Sequence, residues 1–206
     1  MIQPACDSKT ALVLASASSA RALVLERAGL HFIREPSDID ESIIKRQFQD
    51  RQKTAQAAAQ ALAEAKALAV SPHHPKAFII GADQMLVCNG LWFDKPKDFA
   101  EARAHLKLLR GQTHELISAI CVAQDENILW RHVESTRLTM LSFSDEFLEN
   151  YLRQSGPEVL ESVGVYRLES LGPQLFENID GNYYSILGLP LLPLLAFLRR
   201  ARVINI

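Results

Sequence analysis

The stretch LASASSAR (14–21) gathers Ser16, Ser18, Ser19 and Arg21 where an apolar run, 11–15, gives way to a helical pattern. A helix N-terminus carries partial positive charge and unpaired N–H groups, and hydroxyls add further donors for an anion. Arg21, three positions after Ser18, has the reach and the fork geometry to grip a phosphate through two N–H groups. Read alone, the segment favours a plain N-cap by Ser18 with Arg21 in solvent. A second candidate is GADQ (81–84), where Asp83 follows an apolar run at a glycine. Such a carboxylate can share magnesium with phosphate oxygens, activate water, or simply shape a turn. Lys66, late in an alanine-rich segment, and Lys95, before Pro96, each read alone as solvated surface lysines. SDIDES (37–42), with Asp38, Asp40 and Glu41, reads alone as a solvated acidic turn.

Other chemistries are excluded by what is missing. Glycine-rich phosphate loops, dinucleotide fingerprints, a G-x-S-x-G elbow and a Cys/His nucleophile signature are all absent. The six histidines show no H-x-x-x-H spacing, and His73-His74 lies in a proline-bounded turn, so no dedicated zinc site is expected.

These groups need a scaffold, and 206 residues suffice for one sizeable domain or two small lobes sharing a core. Apolar residues make up 48% and charged ones 22%, as in ordinary globular proteins. The formal net charge of −2 gives no overall field for nucleic acid or an anionic membrane, so an anion site must be built locally. Three scattered cysteines form neither a disulfide framework nor a C-x-x-C pair, which points to a reducing cytosol. MIQPACDSKT lacks the basic and apolar regions of a secretory signal. The apolar stretch at 186–198 is too short to span a bilayer, holds two prolines, and reads as a buried terminal helix. Cytoplasmic localisation without membrane or nucleic-acid partners is therefore expected.

Patterning predicts a buried strand at 11–16, then a helix over about 20–29 capped by Ser18 or Ser19. A short strand at 30–35, an acidic loop at 36–42 and a helix from Thr54 to Val70 follow. Residues 77–93 read as strand, interruption at Gly81 and Asp83, strand, and a hairpin at Asn89-Gly90. A helix over about 99–109 with Asp98 as its cap precedes an antiparallel pair, 113–123 and 128–141. Ser144 caps another helix, and 163–181 is irregular and then strand-like. No repeat or linker divides the chain, so an α/β or α+β sheet domain is expected.

Taken in order, LASASSAR, SDIDES, LAEAKA, GADQ, NGLWFDKPKD, LRGQTHELISAI and GNYYSILGLPL resemble the Maf family of nucleoside triphosphate pyrophosphatases, over nearly the whole chain. The resemblance implies an α/β fold of Maf/ITPase type: an elongated mixed β-sheet flanked by helices, in two lobes with a central cleft. One domain over 1–206 is expected, with 1–10 a flexible N-terminal segment, and the resemblance implies a homodimer in the cytoplasm. The implied reaction is hydrolysis of a nucleoside triphosphate to monophosphate and pyrophosphate with Mg²⁺, Mn²⁺ or Co²⁺, in the house-cleaning of non-standard nucleotides. By the same resemblance, Ser18, Arg21, Lys66 and Lys95 bind substrate, Glu41 and Asp83 hold the metal, and Asp83 is the proton acceptor. A nucleotide-binding regulator of cell division with little turnover is the alternative.

The chain departs from the family at two places. Ser19 and Ala20 stand where members usually carry Pro and Arg, and YRLESLG (166–172) has Ser170 where glycine is usual. Gln84 and Glu169 resemble the members acting on 7-methyl-GTP more than those acting on dTTP and UTP. A carboxylate only accepts hydrogen bonds, which suits the N1–H and N2–H₂ edge of guanine and not the acceptor-rich edge of uracil.

Overall fold

The computed structural model describes residues 11–205. The expected flexible segment 1–10 lies outside the described residues, as does Cys6. The element order begins with strand β1 (Leu12–Leu14), helix α1 (Ser19–Arg27), strand β2 (Ile33–Arg34), and helices α2 (Glu41–Asp50) and α3 (Ala55–Val70). Strands β3 (Phe78–Cys88) and β4 (Leu91–Phe93), helix α4 (Phe99–Leu109), and strands β5 (Thr113–Gln124) and β6 (Asn127–Met140) follow. Helix α5 (Asp145–Ser155), strand β7 (Phe176–Asp180), the single turn α6 (Tyr183–Ile186) and helix α7 (Leu191–Arg200) complete it.

The strands form one mixed seven-stranded sheet in the order β2-β1-β3-β5-β6-β7, with β4 paired to β3. β1 lies parallel to both β2 and β3, as connections through helices require. β4 and β7 are antiparallel to β3 and β6. Asn89 and Gly90 turn the β3–β4 hairpin with φ of 49° and 78°, the left-handed pair that a two-residue turn demands.

By contact density the described chain divides into two compact units, 11–83 with 118–134 and 187–205, and 84–117 with 135–186. Each has its own core. Leu14, Leu25, Ile80, Ile120, Leu194 and Leu198 lie at the centre of the first. Leu86, Leu106, Leu109, Leu138, Leu148 and Tyr151 lie at the centre of the second.

Two expectations need correction. β3 is not interrupted at Gly81 and Asp83 but runs unbroken through both. Gly81 is there because α3 packs hard against the strand: a Cβ would sit 2.1 Å from the Ala63 carbonyl oxygen and 2.8 Å from Ala67 Cβ. The acidic loop also ends early. Asp40 caps α2, which takes in Glu41 and Ser42 and was not expected as a helix. Further on, the terminal apolar stretch starts as α6, turns at Gly188 (φ 85°) and resumes as α7, with Pro193 in the first turn where no N–H is missed.

Candidate active site

The first unit brings four of the expected residues together, and small side chains make this possible. α3 buries Ala58, Ala59, Ala63 and Ala67, so its backbone approaches β3 at Gly81. Gly81 and Asp83, two apart on a strand, share a sheet face. Lys66, on the following turn of α3, therefore meets Asp83, with Nζ 2.6 Å from Oδ1. The same ammonium lies 2.7 Å from Glu41 Oε1. Glu41 opens α2, which packs on α3 without burying any residue of its own.

Arg21 completes the group. It is buried at 8% exposure, with Nε donating to the Gly188 carbonyl at 2.9 Å. Nη1 donates to the Ala82 carbonyl at 2.8 Å and to Ser16 Oγ at 3.1 Å. Among the described residues no acceptor is bonded to Nη2, which keeps donors for a phosphate. Burial pulls the Arg21 guanidinium down from its ordinary value while Asp83 and Glu41 raise it. Burial pushes the Asp83 carboxyl above the usual carboxylate value despite Lys66 and Arg21. Burial also acts to raise Glu41, but Lys66, Lys45 and Arg21 outweigh it and hold its carboxyl below the ordinary value. Asp83 Oδ2 is buried without a hydrogen-bond partner among the described residues.

Ser18 is the N-cap of α1: its Oγ accepts from the Arg21 N–H at 3.3 Å. Ser16, expected among the hydroxyls for an anion, instead holds both the Ser18 N–H, at 3.2 Å, and the Arg21 side chain through its Oγ. One neighbour was missed in the sequence. Arg34 reaches over this loop, donating to the carbonyls of Ser16 and Ala17. The spacing of β1 and β2 in sequence gives no hint of it; their parallel register, Leu14 opposite Arg34, does.

In the second unit the expected residues have separate partners. Gln84 Nε2 donates to the carbonyls of Ser185 and Ile186 at 3.0 and 3.1 Å. Lys95, 54% exposed in its side chain, lies 3.3 Å from Glu161. Glu169 Oε1 accepts from Arg167 Nε at 2.9 Å.

Among the described residues no three His, Cys, Asp or Glu side chains converge on one metal position, and no helix is long and apolar enough to cross a membrane. The group in the first unit is thus a carboxylate pair bridged by an ammonium and flanked by a buried guanidinium. It suits a polyanion that brings part of the metal's coordination with it.

Comparison with known proteins agrees with this chemistry. The chain is 48% identical over 187 residues to a nucleoside triphosphate pyrophosphatase of Paramagnetospirillum magneticum, covering 91% of this chain and 96% of the relative. It is 47% identical over 195 residues to one from Granulibacter bethesdensis, covering 95% and 99%. It is 45% identical over 194 residues to a 7-methyl-GTP pyrophosphatase of Brucella abortus, covering 94% and 98%. The profile described as Maf-like protein matches residues 11–201, and the chain accordingly belongs to the Maf family.

Proposed function

We propose that this protein hydrolyses a nucleoside triphosphate to the monophosphate and pyrophosphate. The observation that carries the reading is the group of buried Arg21, Lys66 and Asp83 with the partly exposed Glu41, at positions matching the Maf motifs, in a chain whose relatives are named for this activity. Phosphoanhydride cleavage requires charge neutralisation and a positioned water more than covalent catalysis. Arg21, through its remaining donors, and Lys66 and Lys95 neutralise the phosphates, while Ser18 and the N–H groups at the start of α1 orient them. Water attacks the α-phosphorus, the bond to the bridging oxygen breaks, and pyrophosphate leaves. Asp83 accepts the proton of that water, and its raised pKa brings it closer to a working pH.

A divalent cation fits these residues. Asp83 Oδ2 is an orphaned buried acceptor, and Glu41 and Asp83 form the acidic pair that magnesium, manganese or cobalt shares with substrate oxygens. When bound, such an ion supplies charge stabilisation at the phosphoryl oxygens. Lys66, which bridges the two carboxylates, neutralises the pair until that charge arrives.

Base choice rests on Gln84 and Glu169, with guanine-type triphosphates, including 7-methyl-GTP, preferred over UTP and dTTP. The chain works as one domain: it passes between its two compact units four times, so neither unit is a continuous segment. A cytoplasmic homodimer engaged in nucleotide house-cleaning completes the reading; light scattering at about twice the chain mass of 23.0 kDa is the expected result.

The test is release of pyrophosphate, converted by inorganic pyrophosphatase and read as phosphate, over a panel of triphosphates with Mg²⁺, Mn²⁺ or Co²⁺. Turnover is expected with at least one guanine-type triphosphate. Nucleotide binding with no turnover anywhere on the panel supports a nucleotide-binding regulator instead.

A further inference from the structure

The turn 167–172 is organised on one residue. The Arg167 carbonyl accepts the N–H groups of Ser170 and Gly172, both at 3.1 Å, and its Nε donates to Glu169 Oε1 at 2.9 Å. Gly172 permits this closure, because a Cβ there would lie 2.5 Å from the Arg167 carbonyl oxygen. Upstream, the buried Val165 holds a φ of 60°, a conformation that β-branched residues rarely adopt. The Tyr151 hydroxyl fixes it by donating to the Val165 carbonyl at 2.9 Å. The Tyr166 hydroxyl is anchored on His114 Nε2, also at 2.9 Å. Glu169 therefore sits on a braced turn, with its side chain 17% exposed and one oxygen engaged by a guanidinium.

A carboxylate in that state keeps its acceptor capacity and loses most of its pull on a cation. Oε2 and the remaining lone pairs can still accept N1–H and N2–H₂ of guanine. Methylation at N7 places a positive charge on the ring. Beside Glu169 alone that charge is attracted; beside the Arg167–Glu169 pair, attraction and repulsion nearly cancel.

We propose that Arg167 is a positioning residue that orients Glu169 as a hydrogen-bond acceptor and cancels its charge, so that the site reads the guanine edge with little regard to N7 methylation. The proposal rests on the reading of Glu169 as the base-facing carboxylate.

The test measures kcat/KM for GTP, 7-methyl-GTP and UTP with the wild type and with Arg167→Met, Arg167→Lys and Glu169→Gln. Each result is a ratio within one preparation, so a changed folded fraction cancels. Arg167→Met is expected to raise the 7-methyl-GTP to GTP ratio about fivefold, as removal of one contact charge in a wet site does. Arg167→Lys keeps the charge and holds the ratio within about twofold of wild type. Glu169→Gln lowers the preference for GTP over UTP. An unchanged ratio in Arg167→Met, with base preference altered in Glu169→Gln, overturns the role of Arg167 and leaves the Glu169 reading standing. An unchanged GTP to UTP ratio in Glu169→Gln removes that reading and the proposal with it.

Discussion

In the first unit, Arg21, Glu41, Lys66 and Asp83 arrive from three helices and a central strand, separated by up to 62 positions; Lys66 ion-pairs with both carboxylates, and Arg21 lies close enough to feel their charge. In the second, Lys95 and Glu169 lie outside the helices and strands, and each pairs with one partner of opposite charge. In the first arrangement Arg21, Lys66 and Asp83 are buried and only Glu41 is partly exposed; in the second Lys95 is exposed and Glu169 sits in a local turn. Under the proposed reading, phosphate chemistry rests mainly on helices and a strand, with Lys95 added from a loop, while base choice draws on Gln84 of β3 and Glu169 of a turn.

The contrast is sharpest at Asp83. Asp83→Asn removes the proposed proton acceptor and is expected to lower kcat by about 10²–10⁴. Pyrophosphate release under saturating substrate is the measurement, and full retention of kcat breaks the assignment. Lys66→Met tests the burial. Its side chain is 9% exposed and faces two carboxylates, so its loss leaves buried charge uncompensated and costs about 3–5 kcal/mol. Urea denaturation reads this; a loss under ~1 kcal/mol means the group is wetter than its packing implies.

The second unit hides one titrating group of its own. Burial pushes the His114 imidazole down to about 4, so it stays neutral in the fold. The unfolded chain takes up this proton below pH ~6.5, the folded chain only near pH 4. The unfolded state thus binds more protons in that window. Stability is complete above pH ~6.5, falls as the pH drops toward 4, and loses up to about 3 kcal/mol from this residue. Urea midpoints of the wild type and His114→Gln should converge in slope above pH 6.5, with the wild type steeper below it. Parallel curves throughout contradict the buried neutral state.

Lys95 marks the small end of the scale. Its pair with Glu161 is half exposed, so Lys95→Met should change stability by under ~1 kcal/mol. A raised KM for triphosphate with stability intact is the expected signature of a substrate role.

Periodic and punctuated signals were legible in the sequence. Ser18, Asp98 and Ser144 cap the helices they precede, Thr54 caps the helix it was expected to begin, and Asn89-Gly90 turns the hairpin. Helix α2 was missed although Asp40 and Glu41 form an acidic start, because its apolar positions are few and none is buried. Gly81 was misread as a breaker because glycine in a strand has two causes, and only the packed helix shows that close approach is the operative one. In the site, residue types were readable and partners were not. That Arg21 is tied to Ser16, Ala82 and Gly188 depends on contacts up to 167 positions apart, which no local pattern encodes.

The identity of the products tests the central claim most directly. Phosphorus NMR of GTP incubated with the protein and Mg²⁺ should show GMP and pyrophosphate accumulating in equal amounts without GDP, and Asp83→Asn should slow both together. GDP and free phosphate as primary products, or bound nucleotide that stays intact, would contradict the assignment.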